Sequence, residues 1–384
     1  MKIPAAFDDI RPFEPEELPQ VYDRLLADPQ FRAVMAYAMP DVPFDQLAAL
    51  IRSCHTNLEF QMRLCHGFLH RLLDKVSAGC TMDTTAVSAQ HRYTFVSNHR
   101  DIVLDSALLS VMLIDHHFPT TCEIAIGDNL LSLPWVKDLV RVNKSFIVRR
   151  GLSPRETLAS SKLMSDYMHF VIEEKQDNIW IAQREGRAKD SDDLTQPAIL
   201  KMMAFGGQRG SVQQRLSALH IVPLAISYEY DPCDWLKAQE FQLKRDVPGW
   251  KKSKQDDVVS MQTGIMGYKG RIHYHAAPCI DQWLEQLDPA TPKTEIFDII
   301  AAHIDQEIHR NYRLYPCNYV ALDMLNGSKD HSAQYTAHDE EQFAAYLDAQ
   351  LSKIVLPDKD EPYLRQCMLK MYANPVVNHL KATR

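Results

Sequence analysis

The chain has 384 residues, 46% of them hydrophobic and 24% charged, with only 13 glycines. That length allows one large domain or a few smaller ones, each with its own core, and the balance excludes collagen-like, low-complexity and disordered classes. With 42 basic against 50 acidic side chains the net charge is −8, so the surface repels polyanions and a nucleic-acid partner is not expected.

From Glu16 to about Ala78 the apolar residues recur at helical spacing: Leu18, Tyr22, Leu25 and Leu26, then Phe44, Leu47, Leu50 and Ile51, then Phe60, Leu64, Phe68 and Leu72. Prolines at 29, 40 and 43 divide the stretch into separate helices, so residues 1–85 read as a helical N-terminal region. After the polar run SAGCTMDTTAVSAQ the pattern changes to short β-rich runs alternating with helical ones, the mark of a βαβ sheet. The expected strands are Tyr93–Ser97, Glu123–Ile126, Phe146–Val148, Ile179–Ala182 and Ile221–Tyr228. Between them, Leu163, Tyr167, Phe170 and Val171 make the clearest helical face. Residues 86–280 are therefore expected to form an α/β domain, a mixed sheet flanked by helices, and the helical pattern of residues 281–384 a C-terminal cap.

Eight cysteines are scattered without a CxxC pair, a usage that fits a reducing, cytoplasmic setting. The opening residues MKIPAAFDDIRPFEPEELP lack the basic start and apolar run of an export signal, and no run of about eighteen apolar residues supports a spanning helix.

Four constellations can carry chemistry. In YTFVSNHRDIVLDSALL an apolar strand runs into His99 and then into an amphipathic helix, which places the imidazole at a strand's C-terminal edge, where α/β folds hold ligands. A histidine near its ordinary pKa can take a hydroxyl proton at neutral pH when a carboxylate fixes its tautomer; Asp105 and Asp101 are the two candidate acids. An isolated His/Asp pair is more commonly a helix cap. In LVRVNKSFIVRRG the adjacent Arg149 and Arg150 end a strand and offer a fork for phosphate or carboxylate, though charged strand ends are usually solvated surface. In IWIAQREGRAKDSDD, Gly186 permits a tight turn, Glu185 can brace a cation, and Arg187 and Lys189 can meet an anion; an exposed turn looks similar. HIVPLAISYEYDP reads only as a buried strand.

In this order and spacing the four runs resemble the four blocks of the glycerophospholipid acyltransferase superfamily, which comprises glycerol-3-phosphate and lysophosphatidate acyltransferases. The resemblance covers about residues 92–230. The first run is similar to that family's H-x4-D signature, and its HR start and LDSALL continuation lie nearer the glycerol-3-phosphate branch. FIVRRG resembles the second block, REGR the glycine-turn third block, and VPLAISYE the fourth. Two departures stand out: five residues rather than four separate His99 from Asp105, which leaves Asp101 as the alternative acid, and the third block reads EGRAK, so that either Arg187 or Lys189 takes the phosphate-contacting place.

The resemblance implies transfer of a fatty acyl group from a thioester, on coenzyme A or acyl carrier protein, to a hydroxyl of glycerol 3-phosphate or a lysophospholipid, with His99 as general base, Asp105 as its orienting carboxylate, Arg149 and Arg150 with Arg187 or Lys189 at the acceptor phosphate, and no bound cofactor or metal. Alternatives are N-acylation of an amino acid or amine head group, and an inactive lipid-binding or acyl-carrier-binding protein.

The segment Lys237 to Arg271 is rich in cations and holds Trp250, with Trp235 just before it, a composition suited to peripheral contact with the anionic inner face of a cell membrane; a solvated insertion looks the same. His116-His117 and His273-x-His275 lack further ligands at metal-binding spacing, and Gly206-Gly207-x-x-Gly210 lacks the lysine and strand of a phosphate loop.

Overall fold

A computed structural model of the chain describes residues 3–292 and 294–384. Among them seven strands form one sheet: β1 (Cys80–Asp83), β2 (Thr94–Ser97), β3 (Cys122–Gly127), β4 (Ser145–Val148), β5 (Asn178–Ala182), β6 (Ile221–Tyr228) and β7 (Ile272–Ala276), in the order β1-β7-β6-β2-β5-β3-β4. Every pairing is parallel except β6 with β7. The central strands are covered on both faces, which is why β2 and β6 read as nearly unbroken apolar runs.

Side-chain alternation sorts the sheet into two cores. Val96, Ile179, Ile181, Ile221 and Ala225 face one side, against Tyr167 and Met168 of helix Pro154–Phe170 and Ile300, Ile304 and Ile308 of helix Ile296–Arg310. Phe95, Trp180, Val222, Leu224 and Ile226 face the other, against Leu108, Leu109 and Met112 of helix α1 (Leu104–Asp115) and Leu69, Leu72 and Leu73 of helix His66–Val76. The N-terminal helices Leu18–Ala27, Pro29–Ala38 and Phe44–Arg52 begin and end where the prolines require, and enclose a further core around Tyr22, Phe31, Ile51 and Phe60.

The sheet differs from the sequence expectation at both ends. β1 lies in the polar run before the expected boundary at residue 85; it is an edge strand whose only buried residue is Met82, so its apolar signal is slight. β7 was not anticipated, although Ile272, Tyr274 and Ala276 alternate with two histidines and point into the core. At the C-terminus, helix Ile296–Arg310 packs on the sheet itself, and only the helices from Pro316 onward enclose a separate core around Val320, Phe343, Leu364 and Met368. The expected divisions at 85 and 280 therefore do not coincide with the limits of the sheet and its packed helices. Among the described residues no helix is long and apolar enough to cross a membrane.

The C-terminal core is joined to the sheet through Asp234, which is fully buried at the start of helix Asp234–Asp246. Its carboxyl accepts hydrogen bonds from the hydroxyls of Tyr346 and Tyr372, both at 2.8 Å. Burial, followed by the nearby charge of Asp231, pushes its pKa up to about 7. Because the folded state holds this proton more tightly than the unfolded chain, the stabilisation is fully present below the ordinary carboxyl pKa of about 3.9 and is lost as the pH rises through 7. The melting temperature of the wild type relative to Asp234→Asn is thus expected to fall between pH 4 and pH 7; a difference independent of pH in that window would contradict the assignment.

Candidate active site

The C-terminal edge of the parallel strands gathers three of the four sequence blocks, since His99 follows β2, Arg149 and Arg150 follow β4, and Glu185 to Lys189 follow β5. β2 is central, between β6 and β5, so His99 emerges from the most constrained part of the sheet. Its side chain retains 13% exposure while that of Asp105 retains 1%, leaving a reachable imidazole backed by a dry carboxylate.

His99 Nδ1 lies 2.8 Å from Asp105 Oδ2. The same oxygen accepts the backbone N–H groups of Arg100, at 2.6 Å, and Asp101, at 3.0 Å. An oxygen already holding two donors is an ionised acceptor, so Nδ1 carries the proton and Nε2 presents its lone pair. The extra residue between His99 and Asp105 is absorbed here: the turn at 100–103 wraps its amides around the carboxylate before α1 begins.

Asp101 does not touch the imidazole. Its Oδ1 accepts the N–H groups of Val103 and Leu104 at 2.9 and 2.8 Å, capping the first turn of α1. Burial, then the charge of Asp105, raises its pKa, against the pull of those amides and of Arg187. Helix Lys254–Met266 presses on this carboxylate at Gly264, where a Cβ would stand 2.0 Å from Asp101 Oδ2; no other residue type fits there without displacing that carboxylate.

Three residues that the sequence reasoning passed over hold the loop in place. Asn98 clamps β6 with both ends of its amide, donating to Ile226 O at 2.9 Å and accepting from Ile226 N–H at 2.8 Å. Arg100 is buried against Asp193, at 2.7 Å, and over the ring of Tyr312. Tyr274, from the unanticipated β7, donates its hydroxyl to the carbonyl of Asp105 at 2.9 Å. Asn98 and Arg100 flank His99 directly, and their burial beside a strand end was the available signal. The Trp180 ring stands edge-on to His99 with centroids 5.7 Å apart, and its Nε1 donates to Ser97 Oγ at 3.0 Å.

The expected cations separate into different environments. Arg149 is exposed and pairs with Asp9 at 3.0 Å, a surface ion pair. Arg150 meets Glu185 at 2.6 Å, which ties the second block to the third, while Gly186 takes the left-handed φ of +69° that its turn requires. Lys189 is engaged by Glu240. Arg187 keeps donor capacity, since its Nη1 is buried and has no hydrogen-bond partner among the described residues, and so does Arg150, whose Nε is in the same state. Arg187 lines a cleft with Lys189, Lys237, Trp250, Lys252 and Ser260, and His99 does not line that cleft. Of the cations expected at the acceptor phosphate, Arg149, Arg150 and Lys189 are thus each engaged by a carboxylate, and Arg187, among the described residues, is not.

The cationic segment after β6 is also less available than its composition indicates. Lys237 is buried against Asp231, Lys269 is fully buried and donates to Gly267 O at 2.7 Å, and Lys244, Arg245 and Lys252 are paired with acids. His273 and His275 instead meet Thr81 and Asp83 of the neighbouring β1, and His116 meets Thr84.

Comparison with known proteins bears on this arrangement. A family model described as Acyltransferase matches residues 80–227, a span that starts at β1, ends in β6 and contains the first three blocks and most of the fourth. Over that segment the chain is similar to the acyltransferase family. The assignment agrees with the resemblance to glycerophospholipid acyltransferases drawn from the blocks themselves. Among solved structures, the 1-acyl-sn-glycerophosphate acyltransferase PlsC from Thermotoga maritima matches with 9% identity and a TM-score of 0.35, over 76% of this chain and 97% of that one. No curated protein matches significantly. The matched segment thus ends within the sheet, and β7, whose Tyr274 holds the carbonyl of Asp105, lies beyond it.

Proposed function

We propose that the protein transfers a fatty acyl group from a thioester, on coenzyme A or acyl carrier protein, to a hydroxyl of glycerol 3-phosphate or a lysophospholipid, with His99 as the general base. The observation that carries this reading is the 2.8 Å contact between His99 Nδ1 and an Asp105 oxygen held by two backbone amides. It leaves Nε2 free to accept a proton. The acceptor hydroxyl gives that proton to Nε2 as its oxygen attacks the thioester carbonyl. Asp105 stabilises the imidazolium that forms, and collapse of the tetrahedral intermediate breaks the C–S bond, the proton passing to the leaving thiolate. Acceptor phosphate is assigned to Arg187, whose unpartnered buried donor can be satisfied by an anionic oxygen.

The test measures thiol release from each acyl thioester as glycerol 3-phosphate, lysophosphatidate or an amine is supplied. Transfer to a phosphorylated hydroxyl acceptor is expected, and Arg187→Gln is expected to raise the KM for that acceptor with little change in kcat, because a phosphate contact is made in ground and transition states alike. Transfer to amines alone would replace the hydroxyl reading, and no turnover with any pair would leave a binding protein. An unchanged KM would return Arg187 to a structural role.

A further inference from the structure

We propose that His66, His70 and Asp115 form a binding site for a divalent transition ion of the zinc class, on the face of the molecule at the far end of α1 from Asp105. His66 and His70 stand one turn apart on helix His66–Val76, the spacing that sets two imidazoles on one helix face. Asp115 is the last residue of α1 and reaches the same point from the neighbouring helix.

The ligand atoms already have the separations an ion requires. His66 Nε2 lies 3.2 Å from His70 Nε2 and 2.7 Å from Asp115 Oδ1. His70 Nε2 lies 3.4 Å from that Oδ1 and 3.1 Å from Oδ2. A tetrahedral ion with bonds of about 2.0–2.1 Å spaces its ligand atoms about 3.3 Å apart, so two of the three spacings match and the third opens with a small rotation of the carboxylate. Each ring in its Nε2–H tautomer can donate to one oxygen of Asp115, and a single cation in place of those two protons engages both ring lone pairs and the carboxylate at once.

The donor set selects the ion. Two imidazoles with one carboxylate suit zinc, cobalt or nickel, while calcium and magnesium demand oxygen ligands. The carbonyl end of α1 adds favourable potential for a cation. All three side chains are partly exposed, so an ion can enter and a fourth, water-filled position remains. Asp115 lies ten positions beyond Asp105, about 15 Å of helix, so the ion fastens the helix that carries the orienting carboxylate to helix His66–Val76 and takes no part in acyl transfer. The sequence reading expected no metal; its attention fell on two other histidine pairs, and the third ligand lies 45 residues from His70.

The experiment uses the full chain without an affinity tag, stripped with a chelator and titrated with Zn2+ against a chromogenic chelator, then with Co2+ followed by its visible d–d absorption. One equivalent is expected to bind, to give the absorption of low-coordinate Co2+ and to raise the melting temperature in excess ion. His66→Gln and His70→Gln are each expected to weaken binding at least about tenfold, and Asp115→Asn, at an exposed helix end, serves where a histidine variant folds poorly. His220→Gln distinguishes the second group of potential ligands, His220, Cys279 and Asp281, and is expected to leave the affinity unchanged. Absence of a bound equivalent in the wild type, its retention in the His66→Gln/His70→Gln variant, or its loss in His220→Gln would overturn the proposal.

Discussion

Replacement of His99 by alanine is expected to slow acyl transfer at least about a hundredfold, the usual contribution of a positioned general base, while the unfolding midpoint stays close to that of the wild type. The ring is partly exposed and its one polar contact is with Asp105, so its removal opens no deep cavity. Asp105, in contrast, bonds the backbone at Arg100 and Asp101 as well as the ring, and Asp105→Asn is expected to lose both activity and stability. An amide either turns its NH2 group against those N–H groups or keeps its oxygen there without the negative charge that three donors on one oxygen favour. The comparison separates the two proposed roles, a histidine that acts on the substrate and an aspartate that acts on the histidine and on the loop. A His99→Ala enzyme with near wild-type turnover would remove the base mechanism, whatever the substrate.

The largest loss of stability is expected at Arg100. Its guanidinium is buried on Asp193, which is itself fully buried and whose second oxygen has no hydrogen-bond partner among the described residues. Arg100→Met leaves that carboxylate with only the hydroxyl of Tyr312, at 2.9 Å, and removal of one partner from a buried ion pair costs about 3–5 kcal/mol. Arg100→Met/Asp193→Asn discharges the orphaned acid while keeping an acceptor for Tyr312, and is expected to recover much of the loss. Urea unfolding of the wild type and the single and double variants measures both effects. A single variant within about 1 kcal/mol of the wild type would show that water or a rearranged side chain already compensates Asp193.

The fold was legible where the chemistry of burial is local. β2, β5 and β6 are covered on both faces and so announce themselves as apolar runs, and Pro29 and Pro43 mark the N-terminal helix starts. β1 was illegible because an edge strand with one buried side chain needs no apolar pattern, and its partner is supplied from far along the chain. His99 and both candidate acids were readable from one short motif, but the choice between the acids depended on where two backbone amides point, which no spacing rule encodes. The cations were misjudged for a related reason: Asp9 and Glu240 are distant in sequence, yet each engages a side chain that looked free, while Glu185 braces Arg150 of another block.

The pairing of β1 carries a consequence for how the molecule is made. That strand bonds only to β7, with Cys80 opposite Ile272, so about 190 residues must leave the ribosome before its ladder can close. At elongation rates of about 5–20 residues per second that interval is about 10–40 s, during which the nascent chain carries an open sheet margin and the tyrosine that will fasten the Asp105 carbonyl has not yet been synthesised. The catalytic loop therefore reaches its final rigidity late in translation, after the residues it orients have been waiting outside the exit tunnel.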